Sequence, residues 1–214
     1  MSARVGICDY GVGNLRSVER ALHVAGAEAV ISAEPDVIAG CDGVVLPGVG
    51  AFAIAARTLQ ETGLGDAVRA VAMRERPVLG VCLGHQLLFE ESDEGHGGAG
   101  LALLPGRVVR LASERELKVP HMGWNTISMT RSSSLLEGIS SGAYMYFVHS
   151  YIAAPAADDT IATTDYGEPL AAAVERGSVM GTQFHPEKSG ALGLRVYANF
   201  VARCAAPVPA RLTG

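Results

Sequence analysis

The chain has 214 residues, of which 49% are hydrophobic and 18% charged, a composition that excludes a disordered polymer and leaves room for one domain with a sizeable core. Its formal net charge of -5 comes without a basic block, so a nucleic-acid partner is not expected. No run of about 18 apolar residues reads as a membrane span, and Met1 to Asp9 lacks the apolar core and cleavage site of a targeting signal.

The first half alternates between short apolar runs and helical spacing. Arg4–Cys8 reads as a strand, and Asn14–Ala25 as a helix with Leu15, Val18, Leu22 and Ala25 in period. Glu28–Ser32 is a second strand. Gly43–Leu46 is an unbroken apolar run, as expected of a strand buried on both faces. Ala51–Leu59 and Leu64–Arg74 read as helices, Pro77–Val81 as another buried strand and Leu83–Glu91 as another helix. This alternation implies a parallel sheet wrapped by helices.

The second half changes character. Gly95–Gly100 (GHGGAG) reads as a flexible loop. Short strands follow at Arg107–Leu111, Thr126–Met129, Ala143–Val148, Thr160–Asp165, Leu170–Glu175 and Val179–Gln183, with hairpin turns at Asp165–Gly167 and Glu175–Ser178. Ser189 is placed to cap a last helix, with Leu192, Val196 and Phe200 on one face. The expected fold is α/β: three layers, with a mostly parallel central sheet flanked by helices and an antiparallel, β-rich C-terminal half. No repeat, linker or boundary interrupts it. Residues 1–204 are therefore expected to form a single domain, and 205–214, with two prolines, a frayed tail.

The four cysteines, Cys8, Cys41, Cys82 and Cys204, are scattered without a CxxC pair. That argues against a disulfide framework and a zinc site, and for a reduced, cytoplasmic protein; no metal and no cofactor are expected. Cys82 stands apart, in Gly80-Val81-Cys82-Leu83-Gly84 between a buried strand and a helix. G-x-C-x-G has the form of a nucleophile elbow. The turn strains its central residue, and side chains at ±2 would collide, so glycines flank it. A thiol there points up from the sheet edge, where helix N–H groups favour the thiolate. The plain alternative is a buried cysteine that merely packs.

Amide hydrolysis also needs a base that later protonates the leaving amine, and a group that orients the base. Thr182-Gln183-Phe184-His185-Pro186-Glu187 supplies both. In extended backbone, residues i and i+2 share a side, so His185 and Glu187 would project together, and Pro186 would stiffen them. Pro47-Gly48-Val49-Gly50 is the third element. Gly48-x-Gly50-x-x-Ala53 matches a dinucleotide fingerprint, but it follows the third strand instead of the first and the next stretch is helical. It reads better as a backbone donor loop: the N–H of Leu83 and that of Val49 or Gly50 would receive an oxyanion.

The elbow cysteine, the His-Pro-Glu and the Pro-Gly-Val-Gly loop together resemble the class I (triad) glutamine amidotransferases. Within them the chain is similar to the glutaminase subunits that serve histidine biosynthesis. The segments that carry this resemblance are Asp9–Ser17, Pro47–Phe52, Pro105–Val108, Pro120–Asn125, Tyr146–Tyr151 and Gln183–Ser189, in the family's order. One departure is His85, where this subfamily more usually has Met; His there is familiar from other triad amidotransferases.

The resemblance implies a flavodoxin-like fold and a catalytic triad of Cys82, His185 and Glu187. Gln86, Glu94, His149, Ser150 and Tyr151 match positions that hold the amino-acid end of L-glutamine. It also implies a heterodimer with a (β/α)8-barrel cyclase subunit, in which ammonia reacts with PRFAR to give imidazole glycerol phosphate and AICAR. Asn14, Arg16, His121, Trp124, Asn125 and Lys188 match positions at or near that interface; for Trp124, the only tryptophan, enrichment of Trp at interfaces points the same way. The rivals are an amidotransferase subunit for anthranilate or pyridoxal phosphate synthesis, a stand-alone cysteine hydrolase, and a non-catalytic module on the same fold.

Overall fold

The strands pair as their apolar patterns demand. The computed structural model describes residues 2–95, 97–112 and 117–206. The first half contains β1 (Arg4–Cys8), α1 (Leu15–Val24), β2 (Glu28–Ser32), α2 (Pro35–Ala39), β3 (Gly43–Gly48), α3 (Phe52–Glu61), α4 (Leu64–Met73), β4 (Val78–Cys82) and α5 (Leu83–Gln86). Next come β5 (Glu91–Ser92), β6 (Gly98–Ala99), β7 (Gly106–Arg110), β8 (His121–Met129), β9 (Ala143–His149) and β10 (Tyr151–Pro155). The chain closes with β11 (Thr160–Asp165), β12 (Pro169–Arg176), β13 (Val179–Thr182) and α6 (Gly190–Ala205).

One nine-stranded sheet runs β2-β1-β3-β4-β13-β12-β11-β8-β9. Its pairs from β2 to β13 are parallel and those from β13 to β9 antiparallel. The two halves expected from the sequence are thus one continuous sheet, joined where β13 returns to lie beside β4. Side chains along the parallel strands alternate between two cores. Val5, Ile7, Val45, Leu79 and Val81 face α1 and α6, where they meet Leu22, Val196 and Phe200. Val44, Leu46 and Val78 face α2, α3 and α4, where they meet Ile38, Phe52, Leu59, Leu64 and Val68. Both faces are covered, which is why these strands carry no polar alternation. A second sheet, β10-β7-β5-β6, packs on the α3–α4 side through Val108 and Ala153.

Several expectations need correction. Leu83–Glu91 is not one helix; α5 is a single turn. The carbonyls of Leu87, Leu88, Phe89 and Glu90 accept instead from the amides of Leu101, Leu103, Ala102 and Gly100, so no further helical turn forms. β8 starts five residues earlier than expected, at His121, and β10 follows β9 after Ser150 alone, switching sheets at that residue. The short α2, opened by Pro35 with Asp36 in its first turn, was not anticipated. Within the expected loop Gly95–Gly100, Gly98 and Ala99 pair with Ser92 and Glu91; His96 lies outside the described residues. On α6, Val196 and Phe200 are buried but Leu192 is exposed, because Gly193 takes the inward position there: a Cβ on it would meet the Pro186 carbonyl at 1.9 Å. Ser189 does not cap α6 through its side chain. Of the expected tail, Ala205 closes α6, and 207–214 lie outside the described residues.

Candidate active site

The C-terminal ends of β3, β4 and β13 meet at one edge of the sheet, where Gly48 pairs with Cys82 and Thr182 with Val81. Loops leaving parallel strands at that edge are where α/β folds place ligands. Cys82 occupies the strand-to-helix turn with φ 55° and ψ -110°, a left-handed conformation rare outside glycine. The flanking glycines are required by contact. A Cβ on Gly84 would lie 1.7 Å from the Leu46 carbonyl oxygen, and one on Gly80 would lie 2.6 Å from that of Gly84. Because α5 has four residues, its dipole is small and adds little to favouring a thiolate.

Glu187 and His185 meet as expected, by a different route. Pro186–Lys188 forms a 3-10 turn, and this turn, not extended backbone, brings His185 Nδ1 to 2.7 Å from Glu187 Oε1. The segment is pinned to β9: the His185 amide donates to the Tyr146 carbonyl at 2.9 Å, and Ser189 Oγ accepts from the Tyr146 amide at 3.0 Å while donating to the His185 carbonyl at 2.7 Å. This use of the Ser189 hydroxyl is what takes it away from the α6 cap. Both triad carboxyl and imidazole are buried. Burial by itself would lower the His185 pKa; the Cys82 sulfur and the Glu187 carboxylate outweigh it and raise it to about 9. His185 Nε2 makes no hydrogen bond among the described residues and is left for a proton from sulfur.

Cys82 and Leu83 form part of the wall of a cleft of about 380 Å³. Val49 and Gly50 line it from the β3 loop, Gln86 from α5, Glu94 from beyond β5, and His149, Ser150 and Tyr151 from the β9–β10 switch. All eight expected oxyanion and substrate residues therefore border one cavity with the nucleophile. Their side chains are not all free. Glu94 Oε2 accepts from the Phe52 amide at 2.7 Å, capping α3 in place of Ala51. His149 Nδ1 donates to the Tyr151 carbonyl at 2.9 Å, and His149 is held neutral by burial, its pKa lowered to about 3.

The expected interface residues split. Trp124 is 56% exposed, and Lys188 Nζ sits 5.6 Å from the centre of the Tyr146 ring, which Trp124 meets edge-on at 6.0 Å. Asn14 and Arg16 are exposed at the start of α1. His121 is not exposed. It stacks between Phe147 and Tyr166, at 4.8 and 4.1 Å, and burial lowers its pKa to about 4. Asn125 is half-buried and donates to the Asp165 carbonyl at 2.8 Å. The reason is the period of β8: Met122 and Trp124 point outward, His121 and Asn125 to the other face.

Other site residues were passed over. Tyr10, inside the Asp9–Ser17 segment, donates its hydroxyl to the Pro47 carbonyl at 2.5 Å and anchors the donor loop. Pro120 and Val148 line the cleft. Gln183 is fully buried, with its amide nitrogen 3.8 Å from Cys82 Sγ. Each lies in a segment the sequence singles out, but partners far apart in the chain give no spacing signal. Among the described residues no group of His, Cys, Asp and Glu is arranged to hold a metal ion, and no helix is long and apolar enough to cross a membrane.

Residues 7–204 match the family described as Glutamine amidotransferase class-I. The chain is 49% identical over 203 residues to the imidazole glycerol phosphate synthase subunit HisH of Methanosarcina mazei, covering 94% of this chain and 99% of that one. It is 49% identical over 197 residues to the protein of the same name from Moorella thermoacetica, covering 92% and 93%. The chain belongs to the class-I glutamine amidotransferases, in their HisH branch. The same architecture is what solved structures share with it. A crystal structure of a glutamine amidotransferase superposes with a TM-score of 0.74 at 22% identity, over 94% of this chain and 99% of that one. The structure of PurLQS from Thermotoga maritima gives 0.71 at 18% identity, over 94% and 99%. At that identity the likeness speaks to the fold alone, and the three-layer α/β expectation holds.

Proposed function

We propose that this chain is the glutaminase subunit of imidazole glycerol phosphate synthase, working in the cytoplasm in histidine biosynthesis. It hydrolyses L-glutamine to L-glutamate and ammonia. The ammonia passes to a (β/α)8-barrel cyclase subunit, which converts PRFAR to imidazole glycerol phosphate and AICAR. Residues 1–204 act as one amidotransferase domain. The observation that carries the reading is the buried His185–Glu187 pair, 2.7 Å apart and coupled to Cys82 beside a cleft sized for an amino acid.

In this reading the Cys82 sulfur attacks the glutamine carboxamide carbon, and its proton resides on His185 Nε2. The tetrahedral oxyanion is received by the N–H of Leu83 and one of the Val49–Gly50 loop. His185 protonates the leaving ammonia, and the Cys82–glutamyl thioester forms. Water, deprotonated by His185, then releases glutamate. Glu187 holds the imidazole in the tautomer with Nδ1–H and offsets its charge. Glu94 Oε1, which makes no hydrogen bond among the described residues, suits the substrate ammonium.

The partner docks on the face that carries Met122, Trp124, Tyr144 and Lys188; the first three side chains are 63%, 56% and 60% exposed there. Gly50 has φ 106° and open space around it, so its peptide is free to turn. The donor loop is accordingly aimed by the partner, and the isolated chain is nearly inactive. Glutamate release is measured for the chain alone and with PRFAR plus the cyclase subunit, beside Cys82→Ala. Activity confined to the mixture and lost in Cys82→Ala is expected. Equal activity without the cyclase refutes the partner dependence, and no activity in a folded mixture refutes the glutaminase reading.

A further inference from the structure

Among the described residues, two polar groups besides His185 lie within hydrogen-bond reach of Cys82 Sγ, and they oppose each other. The Val148 carbonyl oxygen lies 3.8 Å from Sγ and can only accept, so it suits the thiol S–H. The Gln183 side-chain nitrogen lies at the same distance and can only donate, so it suits the thiolate.

The orientation of that carboxamide follows from its neighbours. The Tyr151 carbonyl is an acceptor, so the Gln86 group 2.9 Å from it is the NH2 end. The second N–H of the same NH2 points to Gln183 at 3.0 Å, which makes that end of Gln183 its oxygen. The remaining end, the Gln183 NH2, therefore faces sulfur. The Tyr151 carbonyl is itself held by His149 Nδ1–H, and His149 Nε2 accepts from His121 Nδ1–H at 3.0 Å. Gln86, Gln183 and both histidines are buried, so each link is sheltered from competing water.

We infer that Gln183 is a thiolate donor: its Nε2–H group, locked in place by Gln86 and the Tyr151 carbonyl, stabilises the Cys82 sulfur once the thiol proton has moved to His185. The inference rests on the glutaminase reading above and adds a residue to the nucleophile's machinery. In the transfer, the S–H bond breaks, sulfur keeps the electron pair, and the proton bonds to His185 Nε2. Val148 loses a donor and Gln183 gains an acceptor. Among the described residues, the titratable groups around Cys82 are His185 beyond β13, with Glu187 behind it, Tyr10 beyond β1, and His149 and Glu94 in the wall of the same cleft. None of these changes when Gln183 is replaced.

The test is the pH dependence of Cys82 alkylation by iodoacetamide, mapped by mass spectrometry, with glutaminase kinetics measured in the presence of PRFAR and the cyclase subunit. Gln183→Glu keeps the oxygen that accepts from Gln86 and replaces only the donor; Gln183→Met removes both groups. In Gln183→Met the alkylation midpoint is expected to rise by roughly one to two pH units, the size of a hydrogen bond to a charged group. In Gln183→Glu it is expected to rise at least as far, with kcat reduced about tenfold or more in both and KM little changed. In the unmodified protein, the Gln183 carboxamide proton resonances are expected to shift as Cys82 ionises, a readout that needs no variant to fold. Unshifted alkylation midpoints in folded variants, or carboxamide resonances constant through the titration, overturn the inference and leave the glutaminase reading standing. A wild-type Cys82 that neither alkylates as a thiolate nor supports glutamate release overturns both.

Discussion

At the residue scale, the triad and a histidine outside it make separate demands. Glu187 Oε1 holds the His185 ring, and Oε2 makes no hydrogen bond among the described residues. Glu187→Gln keeps the shape but offers no charge to the imidazolium, so kcat is expected to fall roughly 10²–10⁴-fold, with KM little changed, in the cyclase-coupled assay. His85 is fully buried with both ring nitrogens unpartnered among the described residues, and burial, then His149, lowers its pKa to about 3. An orphaned buried imidazole costs stability, and the neighbouring Phe89 edge and Gly181 backbone offer it no partner. His85→Met is expected to stabilise the fold by roughly 1–3 kcal/mol in urea unfolding near neutral pH.

At the scale of elements, α6 and the turn before it act together. Ala normally exceeds Gly in a helix interior by roughly 0.5–1 kcal/mol. At position 193 the sign is expected to reverse, because the new Cβ would press on the Pro186 carbonyl at 1.9 Å. Gly193→Ala should lower the melting temperature and also reduce kcat, since Pro186 begins the turn that carries Glu187. A variant as active and at least as stable as wild type would show that α6 does not position the triad. The sheet switch at Ser150 is a second such device. β9 and β10 are adjacent in sequence but belong to different sheets, and the bend between them makes one wall of the cleft. The sequence pattern marks β9 as a strand but not β10, and it says nothing of the change of sheet at Ser150.

At the scale of the whole molecule, charge and surface give two further expectations. His85, His121 and His149 have lowered folded-state pKa values, about 3, 4 and 3. The unfolded chain therefore binds more protons than the folded one below about pH 6.5. The share of stability from these three is fully present above that pH and lost as pH falls toward 4, each histidine contributing up to about 1.4 kcal/mol per pH unit. His185, raised to about 9, works in the opposite sense, its share present below about pH 6.5 and lost as pH rises toward 9. Urea midpoints between pH 7 and 5 should show this decline, and His85→Met should flatten it by one histidine's share. On the outer face of β8, Trp124→Ala is expected to weaken cyclase binding by roughly tenfold to a hundredfold without lowering the melting temperature, because the side chain is largely exposed in the free chain. Titration by calorimetry checks the first part and a thermal melt the second.

Local chemistry alone carried a great deal here. The elbow was readable because Gly80 and Gly84 mark a turn that no side chain fits, and the buried strands because unbroken apolar runs have few other uses. The His-Pro-Glu was readable because acid, base and spacer are neighbours in the chain. What the chain order hides is contact between distant segments. That β13 lies beside β4, that His121 turns inward while Trp124 turns out, that α5 stops after one turn because Gly100–Leu104 takes the carbonyls of the four residues after it, and that Gln183 reaches Cys82 from 101 residues away all follow from packing. Residue types and spacing limit the reactions a chain can perform. Which groups face each other at about 3 Å is settled only when burial and hydrogen-bond satisfaction have chosen one arrangement of the whole.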